Sequence, residues 1–167
     1  MAQARDVFPN IAAVSLTLSA ANTLTYSQIL TGVNLGQGVG MLIDRVEWAP
    51  SQASLADIDT DQDRIEFGLT TSNTLTNINS ATDRRVILFD AIHRGDMGVA
   101  ASAWIFRIPF IRDFAPPLLI ASPYLYLAVT SVGMTVAAVI NMRMYFRYIQ
   151  LTAQEYIELA ETFVLLG

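Results

Sequence analysis

The sequence predicts an all-β domain, a sandwich of about eight antiparallel strands followed by a short α-helix. Three observations predict it. Residues 139–151 alternate with a period of two, which puts Ile140, Met142, Met144, Phe146 and Tyr148 on one strand face and Asn141, Arg143, Tyr145 and Arg147 on the other. Similar runs recur along the chain, separated by clusters of Gly, Pro, Asn, Asp and Ser. No strand–helix alternation is visible, so a parallel sheet is not expected.

At 167 residues the chain is expected to form a single domain, residues 1–167. Folding would bury roughly two-thirds of the surface of a chain this size, enough for a core without staples. There are no cysteines, which removes disulfides and thiolate metal sites. Charged residues make up only 15%, against about 25% in ordinary domains, and mean hydropathy is positive. So few charges on a small domain point to surface hidden against other chains. Net charge is −5 and Arg5 is the one basic residue among the first forty, so no arm for binding nucleic acid is expected. The start of the chain has no apolar run of the kind that marks a secretory leader.

In chain order, residues 1–10 read as an irregular arm ending at Phe8-Pro9-Asn10. Ile11–Ala20 and Thr23–Thr31 are β-like, and Gly32–Gly40 is a glycine-rich loop. Its Gly36, Gly38 and Gly40 lack the Lys-Ser/Thr and the following helix that a phosphate loop requires. Met41–Trp48 alternates, setting Leu42, Val46 and Trp48 against Met41, Ile43, Arg45 and Glu47, with Asp44 an unexplained charge on an apolar side. Residues 50–63 form a Ser- and Asp-rich loop, Arg64–Thr71 a half-buried strand, and 70–83 a long polar connection.

Arg85–Ile92 is an apolar strand and His93–Gly98 a tight turn. Ala103–Arg112 carries Trp104, Phe106, Ile108 and Phe110 on one face, with Pro109 marking an edge or bulge. Residues 114–140 hold no charge and are long enough to span a bilayer, but Pro116, Pro117, Pro123 and the turn at Ser131-Val132-Gly133 divide them. A proline-rich link at 115–123 and two strands joined as a hairpin are expected instead. Thr152-Ala-Gln-Glu155 is a capping box opening an amphipathic helix over 152–166, with Tyr156 and Phe163 on its apolar side. Eight antiparallel strands in one domain fit a sandwich or single jelly roll.

The chemistry that the residues offer is sparse. His93 is the sole histidine and no serine lies in a nucleophile-elbow pattern, so a solvated turn histidine is expected rather than a catalytic one, and no enzyme is predicted. One histidine without cysteine also argues against the metal site of a jelly-roll enzyme, and no cofactor is expected. Asp57, Asp59, Asp61 and Asp63 resemble the start of a calcium loop. However, Gln62 stands where its glycine belongs and Gly68 where its glutamate belongs, so they are a weak Ca²⁺ candidate beside an ordinary hydrated loop. Arg143, Tyr145 and Arg147 are expected to contact another subunit, with Tyr156 and Phe163 beside them, because Arg and Tyr favour interfaces; a plain solvent face is the alternative.

Taken together, the size, the strand pattern, the Asp-rich loop before Arg64-Ile-Glu-Phe-Gly, the long final strand and the helix after it resemble the single jelly-roll capsid proteins of tailless icosahedral viruses. In particular they are similar to the smaller major capsid protein of membrane-containing Thermus phages. The resemblance implies a bacteriophage coat protein of a thermophilic host. Its subunits would form homodimers or higher capsomers in the virion, with a second capsid protein and an internal membrane as neighbours. The alternative within the same fold is a carbohydrate- or receptor-binding module, which would need exposed aromatic residues. Trp48 and Trp104 both sit among apolar neighbours in the sequence.

Overall fold

A computed structural model describes residues 3–4, 9–60, 62–80, 82–96, 103–105, 110–155 and 157–158. Ten strands are described: β1 (Gln3–Ala4), β2 (Asn10–Thr17), β3 (Thr25–Leu30), β4 (Val39–Pro50), β5 (Arg64–Thr70), β6 (Val86–Asp96), β7 (Ala103–Ile105), β8 (Phe110–Ile120), β9 (Tyr124–Val132) and β10 (Val139–Gln150). They form two antiparallel sheets. In the first, β2 and β1 share one side of β10, followed by β4 and β8; in the second the order is β3-β9-β5-β6-β7. Eight long strands thus run β2-β10-β4-β8 over β3-β9-β5-β6, the jelly-roll arrangement of two interlocked Greek keys.

The core lies between the sheets. Met41, Ile43, Val46, Trp48, Ile140, Met142 and Met144 come from the first sheet, and Ile65, Phe67, Leu69, Ile92, Leu125 and Leu127 from the second. The Trp48 and Phe67 rings meet across the layers with centroids 5.1 Å apart. Fully burying side chains of this kind contributes about 2 kcal/mol each.

The strand periodicity of β10 appears as expected. Ile140, Met142 and Met144 are buried and Phe146 and Tyr148 pack on the core, while Asn141 and Arg143 are exposed. In β4 the expected faces need correction. Met41, Ile43, Val46 and Trp48 all point inward, because one residue bulges out between Ile43 and Arg45. That residue is Asp44, so the charge that disturbed the alternation is the extra residue that shifts its phase.

Local turn signals were overridden in several places. The arm is not irregular throughout, since Gln3 and Ala4 pair with Gln150 and Ile149. His93 stands in a strand, opposite Arg64, rather than in a turn, because β6 continues to Asp96 to pair with β7. The strand expected over 103–112 is shared between two sheets, β7 in the second and β8 in the first. The proline-rich link is also strand. β8 is an edge strand whose register with β4 jumps from Leu118 to Asp113, and this irregularity accommodates Pro116 and Pro117, which cannot donate to a ladder.

The expected hairpin after β8 does not form. β9 pairs with β3 and β5, while β10 pairs with β2 and β4, so the connection between β9 and β10 crosses from one sheet to the other. Asn22, Ser54 and Asp57 pin that crossing. The Asn22 amide bonds both backbone groups of Met134, and Ser54 Oγ accepts from Val139 N at 2.7 Å. Ser54 belongs to a short helix, α1 (Gln52–Ala56), inside the expected loop, and Ser51 caps it by accepting from Ser54 N.

Two further segments complete the frame. The connection between β5 and β6 was expected to be plain polar loop, yet it seats Leu75 and fully buried Ile78 on Ala128, on the outer side of the second sheet. Tyr26 Oη fastens it by donating to Leu75 O at 2.7 Å. The capping box forms as expected: Thr152 N donates to Glu155 Oε2 at 2.9 Å and Glu155 N to Thr152 Oγ1 at 3.3 Å. Residues 153–155 and 157–158 are helical, and the rest of the expected helix lies outside the described residues. No helix among the described residues is long and apolar enough to cross a membrane.

Candidate interaction face

The two sheets differ in what covers them. The loop carrying Leu75 and Ile78 covers Ala128 and Tyr26 on the outer face of the second sheet, leaving Leu30 and Tyr124 exposed, whereas the outer face of β2-β10-β4-β8 carries no such loop among the described residues. Register fixes which side chains share that face, since directly opposed residues of an antiparallel pair project together. One row across the sheet reads Ala13, Arg143, Glu47, Ile111; the next reads Ile11, Tyr145, Arg45, Asp113. Ile11 is 61% exposed and Ile111 48%, so each flanking strand presents an isoleucine to solvent.

Between them lies a network of charges. Arg147 donates to both carboxylate oxygens of Asp44. Arg45 Nε donates to Asp113 Oδ1 at 2.5 Å and its other end lies 3.5 Å from Glu47. Tyr145 Oη donates to Glu47 Oε2 at 3.2 Å, and the Arg45 guanidinium lies 6.0 Å from the centre of the Tyr145 ring. These groups surround an open depression of about 430 Å³ lined by Pro9, Asp44, Arg45, Asp113, Tyr145 and Arg147. The Asp113 and Asp44 carboxylates hold the Arg45 and Arg147 guanidiniums protonated even more firmly than usual, chiefly by hydrogen bonding.

The structure therefore separates the residues expected to form an interface. Arg143 is exposed and has no carboxylate at ion-pair distance among the described residues, although Glu47 is its register partner. Arg147 is tied to Asp44 and Tyr145 to Glu47, so both serve their own chain first. Tyr156 and Phe163 lie outside the described residues. Glu47, Ile11 and Ile111 were not picked out as interface residues by sequence reasoning, because only strand pairing places them beside Arg143.

No family model matches the sequence, and no curated protein matches it.

The other candidate groups serve the fold. Asp57 Oδ2 accepts from Thr135 N at 2.8 Å and Val136 N at 3.0 Å, and Asp63 Oδ2 accepts from Asp59 N and Thr60 N. Both carboxyls are held below the usual range, Asp57 mainly by the Thr135 hydroxyl and Asp63 mainly by the Thr60 amide. Asp61 lies outside the described residues, and among those described no three metal-binding side chains converge. Asp90 is buried on β6 and paired through both oxygens with Arg112 of β8, so it ties the two sheets together at one edge.

Proposed function

We propose that this chain is a structural coat subunit of a tailless icosahedral virus, built to associate with copies of itself. The observation that carries the reading is the asymmetry of the sandwich. The protein's own loop covers Ala128 and Tyr26 on one outer face and leaves Leu30 and Tyr124 exposed beyond it, while the other presents Ile11, Ile111 and Arg143 on a four-strand surface with no such loop among the described residues. Exposed isoleucines on a sheet face are surface that association would remove from water. Engagement of Asp44, Asp57, Asp63 and Asp90 as ties within the fold further supports a structural rather than catalytic role. In that role a second capsid protein and an internal membrane are further neighbours, and the site of action is the virion.

Electron microscopy of the purified protein, with its native mass, tests the reading. Shells or discrete capsomers are expected. A strict monomer at high concentration in every salt would overturn it, and a monomer that binds immobilised glycans would replace it with the carbohydrate-binding alternative. Trp48, fully buried, is not available for such a platform.

A further inference from the structure

We propose that the outer face of the first sheet packs against the same face of a second copy, about a two-fold axis running along the strands between β10 and β4. The inference deepens the coat reading and rests on it for one thing, that copies of this chain meet.

Rotation about that axis reverses the order of residues across the sheet and keeps each row level. The β10 strand then lies over β4 of the second copy, and β2 over β8. The row Ala13, Arg143, Glu47, Ile111 reads apolar, cation, anion, apolar. Reversed, it is its own complement: Arg143 stands over the second copy's Glu47, Glu47 over its Arg143, and Ile111 over its Ala13. An isologous contact requires this self-complementarity. In the next row Tyr145 stands over the second copy's Arg45, where the ring can add to the contact already made within each chain. On the outer strands of that row Ile11 stands over the second copy's Asp113, whose carboxylate stays paired with its own Arg45.

Charge favours a second copy as the occupant. On a chain of net charge −5, this face sets Arg45, Arg143 and Arg147 against Asp44, Glu47 and Asp113, so two copies meeting here do not repel. Arg143 is the member of the set with no carboxylate at ion-pair distance among the described residues. Beside it lies an open depression of about 440 Å³ whose lining includes Glu47, Ala49 and Asn141, with room for a side chain from the facing sheet.

Charge reversal tests the pairing. Arg143→Glu alone sets two carboxylates against two carboxylates across the axis, and Glu47→Arg alone sets guanidinium against guanidinium. Each single variant should self-associate at least about tenfold more weakly than the parent in sedimentation equilibrium. An equimolar mixture of the two should restore a two-chain species, because both cross-axis contacts are then opposite in sign. A purely internal role for either residue cannot produce that rescue. Parent-like association of the singles, or a mixture that stays monomeric, would overturn the proposal. If Glu47→Arg fails to fold by circular dichroism, Arg143→Ala replaces the pair, and unchanged self-association would then be the overturning result. Shells that form in spite of the reversals would sink this interface but not the coat reading; a two-chain species that never grows larger would do the opposite.

Discussion

Arg147 on β10 holds Asp44, the extra residue of the β4 bulge, through both ends of its guanidinium: Nε donates to Oδ2 at 2.9 Å and Nη2 to Oδ1 at 2.7 Å. The bulge lets Met41 and Ile43 share the core with Val46 and Trp48, and the bidentate pair fixes the residue that it displaces. Both side chains are a little under one-third exposed, so solvent weakens the pair without removing it. Arg147→Ala is expected to cost about 1 kcal/mol, and Arg143→Ala less than about 0.5 kcal/mol. Urea unfolding of both, with a double-mutant cycle on Asp44 and Arg147, checks this. Equal losses at the two arginines would contradict the assignment of Arg147 to its own fold.

Asp90 and Arg112 offer a sharper contrast. The carboxylate is 7% exposed and the guanidinium 53%, so removing the arginine strands a buried anion, whereas removing the aspartate leaves a cation that can turn to water. Arg112→Ala is therefore expected to destabilise by about 2–3 kcal/mol, and Asp90→Asn by less. A reversed order in chemical denaturation would show that the pair does not hold the β6 and β8 edge.

The roof over the second sheet should behave as core. Ile78 is fully buried on Ala128 in a connection that otherwise looks like polar loop. Ile78→Ala is expected to cost about 2–4 kcal/mol, against near zero for exposed Thr76→Ala. Since the loop also covers Ala128 on the second sheet, the variant should bind more of an apolar dye than the parent. A loss below about 0.5 kcal/mol would mean that the loop is not packed.

What could be read from sequence and what could not follows from the range of each interaction. The capping box of Thr152 and Glu155 spans three residues, and the two faces of β10 are set by its own alternation, so both were legible. Asp44 was visible as an anomaly but not as a bulge, because its partner lies 103 positions away. Leu75 and Ile78 are too sparse among polar residues to announce a core. The split of 103–112 between two sheets, and the passage of Pro116 and Pro117 through an edge strand, depend on pairing across the whole chain. At the candidate face, Arg143 was legible as an outward cation, but its row with Glu47 and Ile111 exists only through the order of the strands.

Acid should loosen the crossing from β9 to β10 first. Asp57 holds it through the Thr135 hydroxyl and the Thr135 and Val136 amides, and these bonds favour the carboxylate over the acid. Its folded pKa is therefore below its unfolded one, and the unfolded chain takes up the proton first as pH falls. The stability linked to Asp57 is fully present above about pH 4, and is lost as pH drops through the lower folded value. Asp63, held by the Thr60 and Asp59 amides, adds in the same direction. Beside it Gly133, at φ +75°, leaves room where a Cβ would fall 2.1 Å from Asp63 Oδ1. Melting curves between about pH 2 and 6 should show Tm falling on the acid side for the parent, with a shallower fall for Asp57→Asn, which starts lower. Parallel curves for the two proteins would remove Asp57 from the acid response.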